Sequence, residues 1–228
     1  MNENIIAIDG PAGSGKSSVA REIAQRSTYQ YFDSGAYYRA VTLYFMKRHE
    51  ELGGKGKFYD FLNHYEFLNK LNSIQLSATL QKKSENLIFL GQEDVTIEIR
   101  HPEVTGNIKY LAPYREVRDF INANLIELAR VNRLIMDGRD IGTEVFPDAK
   151  FKFFLTADAK IRARRRWDEL KEQGIDTDYE KLLEEIQKRD ESDQNRKIAP
   201  LKQAEDAFLI DTSNLSKNVV INMILSRI

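Results

Sequence analysis

The sequence predicts an α/β protein built on a parallel sheet with crossover helices. Three observations point there. Short, continuous apolar runs end at turn or acidic residues: Ile5-Ile-Ala-Ile8 before Asp9-Gly10, Tyr31-Phe32 before Asp33-Ser34-Gly35, and Leu134-Ile-Met136 before Asp137. Such runs suit strands buried on both faces. Stretches with helical spacing separate the strands in a β-α-β-α order. The length, 228 residues, suits one large α/β domain or a domain carrying an insertion.

Each element can be justified in turn. After the first strand, Ser17 to Arg26 places Val19, Ile23 and Ala24 on one side of a helix. Tyr31-Phe32 is the second strand, and Ala36 to Met46 returns to helix. Gly53-Gly-Lys-Gly56 then breaks the pattern. Ser73-Ile-Gln-Leu-Ser77, Asn86-Leu-Ile-Phe-Leu90 and Gln92-Glu-Asp-Val-Thr96 have strand-like composition with polar turns between, which predicts a small antiparallel patch. Residues 58–100 are therefore read as an insertion on the main sheet. Helical sequence resumes over Val117 to Val131. Leu134 to Met136 and Phe151 to Thr156 are strands, and Ala159 to Arg196 is charged and helix-rich with a break at Gly174. Phe208 to Asp211 is the last strand, and Val219 to Ile228 the last helix.

Composition removes several classes of function. Net charge is −1, so no overall basic field draws the chain to nucleic acid or anionic membrane. Cysteine is absent, which excludes a disulfide framework and fits a reducing compartment. Met1-Asn2-Glu3-Asn4 carries no positive charge, and the apolar stretch behind it is too short for a signal peptide. No apolar run approaches the roughly 20 residues of a membrane span. The expected location is cytoplasmic.

Gly10-Pro11-Ala12-Gly13-Ser14-Gly15-Lys16-Ser17, followed by Ser18, has the spacing G-x-x-x-x-G-K-[ST] between a strand and a helix. In such a P-loop, glycines let backbone N–H groups turn inward around phosphate oxygens. The helix N-terminus adds its positive dipole end. Lys16 can reach the β- and γ-phosphates, and Ser17 can ligate Mg²⁺. Asp137 ends an apolar strand, as the Mg²⁺-holding carboxylate of such proteins does; it could equally be a turn residue. No Asn-Lys-x-Asp guanine-reading motif occurs, which argues against a GTPase switch. Arg162, Arg165 and Arg166 share one helix face, with Arg164 beside them, and Arg189, Asp193 and Arg196 follow at helical spacing. They read either as a phosphate clamp on a lid or as a solvated face. Ser34 and Arg39, past the end of the second strand, could face a second phosphate-bearing substrate, or be a cap and a surface arginine. His49, His64 and His101 fall outside every motif and read as surface or structural residues; Trp167 and the phenylalanines read as packing.

Taken together, "IDGPAGSGKSS", "DSGAYYRA", "GQEDVTIEIR", "YREVR", "DGRDIGTEVFPDA", "RARRR", "KRDESDQNRKIAPL" and "AEDAFLIDTS" run in order from Ile8 to Ser213. They resemble the bacterial cytidylate kinases (CMP/dCMP kinases). The resemblance implies the P-loop nucleoside monophosphate kinase fold: a parallel core sheet flanked by helices, an inserted small α+β monophosphate-binding region, and a helical lid. On this chain these are a core of 1–57, 101–156 and 197–228, the inserted region 58–100 and a lid of 157–196. The implied reaction moves the γ-phosphoryl of ATP to CMP or dCMP with Mg²⁺, held by Ser17 and Asp137. The implied partners are ATP and CMP or dCMP; charge and hydropathy predict no nucleic acid or membrane partner, and a monomer is expected.

By the same resemblance Ser34, Arg39, Arg118, Arg139 and Asp140 belong to the monophosphate pocket, with Arg118 and Asp140 as the cytosine-reading pair. Arg189, Asp193 and Arg196 form a lid-side group, Asp193 on the ribose and the arginines on phosphate. Lys16, Arg162, Arg189 and Arg196 would stabilise the charge of the transferring group. Where many relatives carry a base-contacting serine before the "VR" segment, this chain has Lys109, a donor only. The alternatives are another small-molecule P-loop kinase, or a nucleotide-binding regulatory protein without turnover.

Overall fold

In the computed structural model, which describes residues 2–64, 67–82 and 85–228, the chain forms two compact units. The first comprises Met1–Tyr31 and Arg133–Ile228; the second is Phe32–Asn132.

The first unit contains the main sheet: β1 (Asn2–Asp9), β2 (Gln30–Asp33), β6 (Leu134–Gly138), β7 (Ala149–Thr156) and β8 (Phe208–Asp211), in the order β2-β6-β1-β7-β8. The unit boundary falls inside β2. The β1–β6, β1–β7 and β7–β8 pairs are all parallel, with Ile8 opposite Asp137 and Phe153. Ile5 to Ile8 have no exposed surface, as expected for a central strand covered on both faces. Helices α1 (Lys16–Arg26) and α8 (Lys217–Leu225) bury Val19, Ile23, Val220, Ile221 and Ile224 against Ile6, Ile8, Ile135, Phe153, Leu155 and Ile210. Helices α6 (Ala159–Glu172) and α7 (Tyr179–Gln194) flank the predicted break at Gly174 and share a small core of Ala163, Leu182 and Ile186. Trp167 packs on that core, and its indole N–H donates to the Thr177 carbonyl at 2.9 Å.

The second unit is wider than the 58–100 insertion read from the sequence. It holds α2 (Gly35–Glu51), α3 (Phe58–His64), α4 (Pro102–Leu111), α5 (Arg115–Arg130) and an antiparallel sheet of β3 (Leu76–Thr79), β4 (Leu87–Leu90) and β5 (Glu93–Asp94). Helices α2, α4 and α5 close around the small sheet, so the compact body extends to both sides of it in sequence.

Three details differ from the sequence reading. Residues Phe67–Ser73 form a 3₁₀ helix, so β3 starts later than Ser73. The third strand keeps only Glu93 and Asp94, because Asp94 Oδ1 accepts from both the N–H (2.9 Å) and the hydroxyl (2.6 Å) of Thr96 and turns the chain. Helix α4 was not expected; His101 caps it, with Nδ1 accepting from Glu103 N at 3.4 Å, and Pro102 opens it. His49 packs on the Phe61 ring at 5.0 Å. The side chain of His64 lies outside the described residues. Among the described residues, no helix is long and apolar enough to cross a membrane.

Candidate active site

The loop between β1 and α1 follows from what its neighbours permit. At Gly10, φ is 145°, and a Cβ would lie 1.9 Å from the Leu155 carbonyl oxygen of β7. Only glycine lets β1 end so close to β7. Gly15 holds φ at 91° just before α1, and a Cβ there would meet no protein atom within 4 Å. Lys16 is buried, its Nζ donating to the Pro11 carbonyl at 2.6 Å and Ser14 Oγ at 3.4 Å. Burial, then the nearby Arg139 guanidinium, push its ammonium well below the usual lysine range. A lysine so placed gains most from an incoming anion.

Ser17 Oγ donates to Asp137 Oδ2 at 2.6 Å, and the Tyr31 hydroxyl donates to Asp137 Oδ1 at 2.8 Å. The Ser17 proton is therefore directed at Asp137, leaving its lone pairs for a cation. These are hard oxygen donors at the loop, as Mg²⁺ requires. Among the described residues no group of three His, Cys, Asp or Glu could cage a metal. Mg²⁺ takes few protein ligands and completes its shell with phosphate and water.

A cleft of about 930 Å³ opens beside the loop, lined by Ala12 to Val19, by Arg162, Arg165 and Arg166 of α6, by Ile186 and Arg189 of α7, and by Thr212. The arginine face read from the sequence divides here. Arg162 is buried, with its guanidinium donating to Asp190 (3.0 and 2.5 Å), the Ala157 carbonyl (2.8 Å) and the Ala12 carbonyl (3.1 Å). It fastens α6 and α7 to the loop, so contact with phosphate requires Asp190 to release the fork. Arg165 donates to Thr212 Oγ1 (3.1 Å) and its carbonyl (2.6 Å), while Thr212 Oγ1 donates to the Ser14 carbonyl at 3.1 Å. Arg164 pairs with Asp168 on exposed surface, the solvated-face alternative, while Arg166, at the cleft wall, pairs with Glu169. Gly10 and Pro11, expected at the phosphates, do not line the cleft: Gly10 answers to β7, and Pro11 to Lys16.

A second cluster lies past β6. Asp9, the last residue of β1, is buried, and it accepts from Ile141 N at 2.9 Å and Gly142 N at 2.7 Å, holding the π-helical turn Ile141–Val145 that follows Asp140. Burial is the main cause that pushes the Asp9 carboxyl up to about 6, against the pull of those two N–H bonds. Asp193 is buried between two guanidiniums: Arg139 Nε donates at 2.8 Å, and Arg196 Nη2 donates to the other oxygen. Leu201 N donates to the Asp193 carbonyl at 2.8 Å, folding the segment after α7 back on itself. Ala199 in that segment has a φ of 49°.

In the second unit, Asp33 Oδ1 accepts from Gly35 N at 2.9 Å and Oδ2 from Arg39 Nη2 at 2.7 Å. Arg39 Nε is buried without a partner among the described residues. Ser34 stands at the N-cap of α2 but makes no capping bond through its side chain. Arg118 is buried, donating to the Ala112 carbonyl (2.9 Å) and the Tyr38 hydroxyl (3.2 Å). Lys109 is exposed, its ammonium 5.0 Å from the centre of the Tyr110 ring.

The first unit thus brings together the loop, Arg162 and Arg189 around one cleft, with Asp137 bonded to Ser17 of the loop, and Arg139, Asp193 and Arg196 in one ion network. Asp140 stands at the turn Asp9 holds; Ser34, Arg39 and Arg118 belong to the second unit. Asp9, Tyr31, Asp190 and Thr212 were missed. Only Asp9 had a signal, a carboxylate at the end of a buried strand, the pattern that drew notice at Asp137.

The sequence model described as cytidylate kinase matches residues 6–228. A cytidylate kinase of Caldicellulosiruptor bescii is 44% identical over 99% of this chain and 95% of its own length. One from Desulforamulus reducens is 47% identical over 97% and 95%. Among solved structures, shikimate kinase from Bacteroides thetaiotaomicron aligns with 98% of this chain and 94% of its own at 14% identity and a TM-score of 0.44, too distant to bear on the reaction. With a match of this extent over a chain that carries the loop, the ion network and the parallel sheet, the protein belongs to the cytidylate kinase family.

Proposed function

We propose that the protein transfers the γ-phosphoryl group of ATP to CMP or dCMP, giving ADP and CDP or dCDP. One juxtaposition carries the reading: a glycine loop with Lys16, and an arginine-walled cleft beside it, in one unit with the Arg139–Asp193–Arg196 network. ATP phosphates lie along residues 12–18, with Lys16 drawn from the Pro11 carbonyl to the γ-phosphate. Ser17 and Asp137 would hold Mg²⁺, which would neutralise phosphate charge. Arg162, Arg189 and Arg196 stabilise the transferring group, and the α6–α7 hairpin within 157–196 acts as the lid that excludes water.

The residues assigned to the acceptor nucleotide are Arg139, Asp140, Arg189, Asp193 and Arg196 of the first unit and, in the second, Ser34, Arg39 and Arg118. The partnerless Nε of Arg39 is a donor awaiting an anion. Asp140 accepts the amino protons of cytosine; uracil presents a carbonyl oxygen there, acceptor against acceptor, and is rejected. No general base is needed, because the attacking group is already a phosphate oxygen. Catalysis is positioning and charge stabilisation.

The test is ADP release from ATP with CMP, dCMP, UMP, AMP and shikimate in parallel. Turnover highest with CMP or dCMP is expected. Turnover with shikimate or AMP alone would replace the acceptor, and no acceptor-dependent ADP at all would leave a nucleotide-binding regulator.

A further inference from the structure

Asp9 ends β1 directly before the phosphate loop, yet its carboxylate serves the opposite side of the site. Its two oxygens accept from two consecutive amides, Ile141 N at 2.9 Å and Gly142 N at 2.7 Å. A carboxylate spanning two adjacent N–H groups fixes both the position and the direction of the turn that carries them. A Cβ at Gly142 would stand 3.2 Å from Lys152 Cδ and 3.3 Å from Asp9 Oδ2, so both side chains lie close against this backbone. The Lys152 ammonium bonds elsewhere, to the Pro147 carbonyl and Asp206. Immediately before the turn stand Arg139, which donates to Asp193, and Asp140.

We propose that Asp9 is a positioning residue for the acceptor nucleotide: it locks the turn that follows Arg139 and Asp140 to the end of the strand that launches the phosphate loop. The proposal rests on the reading of Asp140 as the cytosine contact. Strand termination alone needs no buried carboxylate, and asparagine at this place could satisfy one of the two amides but would set its own NH₂ against the other. Burying the carboxylate disfavours its charge, as the rise in its pKa records, and Asp140 and Lys16 are the charged groups acting on it. A group kept there against that penalty is kept for what it holds.

The experiment compares Asp9→Asn and Asp140→Ala. It measures kcat/KM for CMP and UMP, and the affinity for a non-hydrolysable ATP analogue by calorimetry. Asp9→Asn is expected to raise the KM for CMP roughly tenfold and to narrow the CMP-over-UMP ratio, with analogue affinity within about twofold of the parent. An unchanged ratio in Asp9→Asn beside a narrowed ratio in Asp140→Ala overturns the role of Asp9 while leaving the reading of Asp140 standing. An unchanged ratio in Asp140→Ala removes that reading and this proposal with it. Equal losses of CMP and analogue binding in Asp9→Asn mean that Asp9 serves the fold alone, which also overturns it. If Asp9→Asn does not fold, Gly142→Ala pushes on the same amide from the other side and is judged by the same measurements.

Discussion

Replacing Gly10 with alanine separates the two reasons a glycine can stand in this loop. The added methyl would lie 1.9 Å from the Leu155 carbonyl oxygen, where contacts under 3.0 Å force something to shift. That oxygen belongs to the backbone of β7, so it cannot swing aside as a side chain would. A φ of 145° adds strain of about 1–3 kcal/mol for a residue with a Cβ. Parting β1 from β7 by about an ångström weakens ladder hydrogen bonds worth roughly 0.5–1.5 kcal/mol each. The expected loss is about 3–5 kcal/mol, a large part of the roughly 5–15 kcal/mol that holds a typical domain. Gly15→Ala is the control: φ is 91°, but nothing lies within 4 Å of the new methyl, so only strain of about 1–2 kcal/mol is expected. Urea unfolding of both variants at one pH gives the comparison. Binding of an ATP analogue should reverse the order, because Gly15 lines the cleft and Gly10 does not. Equal unfolding losses in the two variants would refute the close approach to β7 as the reason for Gly10.

Two further outcomes are expected. Asp9 is raised from 3.8 to about 6 in the folded protein, so between those values the native state holds more protons than the unfolded chain. Its contribution to stability is full below about pH 4 and is lost as pH rises through about 6, by about 3 kcal/mol in all; urea midpoints from about pH 4 to 7 should show that slope in the parent and not in Asp9→Asn. Ser17→Ala removes the hydroxyl that donates to Asp137 at 2.6 Å, and should weaken ATP binding about tenfold more with Mg²⁺ than without it, as read by calorimetry; an equal loss with and without Mg²⁺ would take Ser17 out of the metal's shell.

The core of the fold was legible because its strands are fully buried. Ile5 to Ile8 and Leu134 to Met136 are apolar without alternation, end at a carboxylate, and are too short for a helix, which marks strands covered on both faces. Helix α4 escaped notice because its start lacks Ser, Thr, Asp or Asn and its middle holds Thr105 and Gly106; only Pro102 and the spacing of Val104, Ile108 and Leu111 marked it. The loop and Asp137 could be read from spacing, since successive residues build them. Asp190 and Thr212 could not, because their partners, Arg162 and the Ser14 carbonyl, lie far away in the chain and are reached only once α6, α7 and β8 are packed. The arginine run shows the limit of periodicity. Four guanidiniums in five residues look alike in sequence, and packing alone buries Arg162 and leaves Arg164 in solvent.

The strand order bears on how the ribosome delivers this protein. β1 lies between β6 and β7, and the loop it launches is completed by Asp137, Leu155 and Thr212. The glycine loop therefore leaves the exit tunnel before the residues that wall it. The Phe32–Asn132 body is one uninterrupted stretch and has all of its own contacts in hand while the central strand still waits for neighbours. Pairings so distant along the chain form late and slowly, so a polypeptide released before β8 has left the exit tunnel carries the phosphate-gripping motif intact in sequence and cannot assemble it in space.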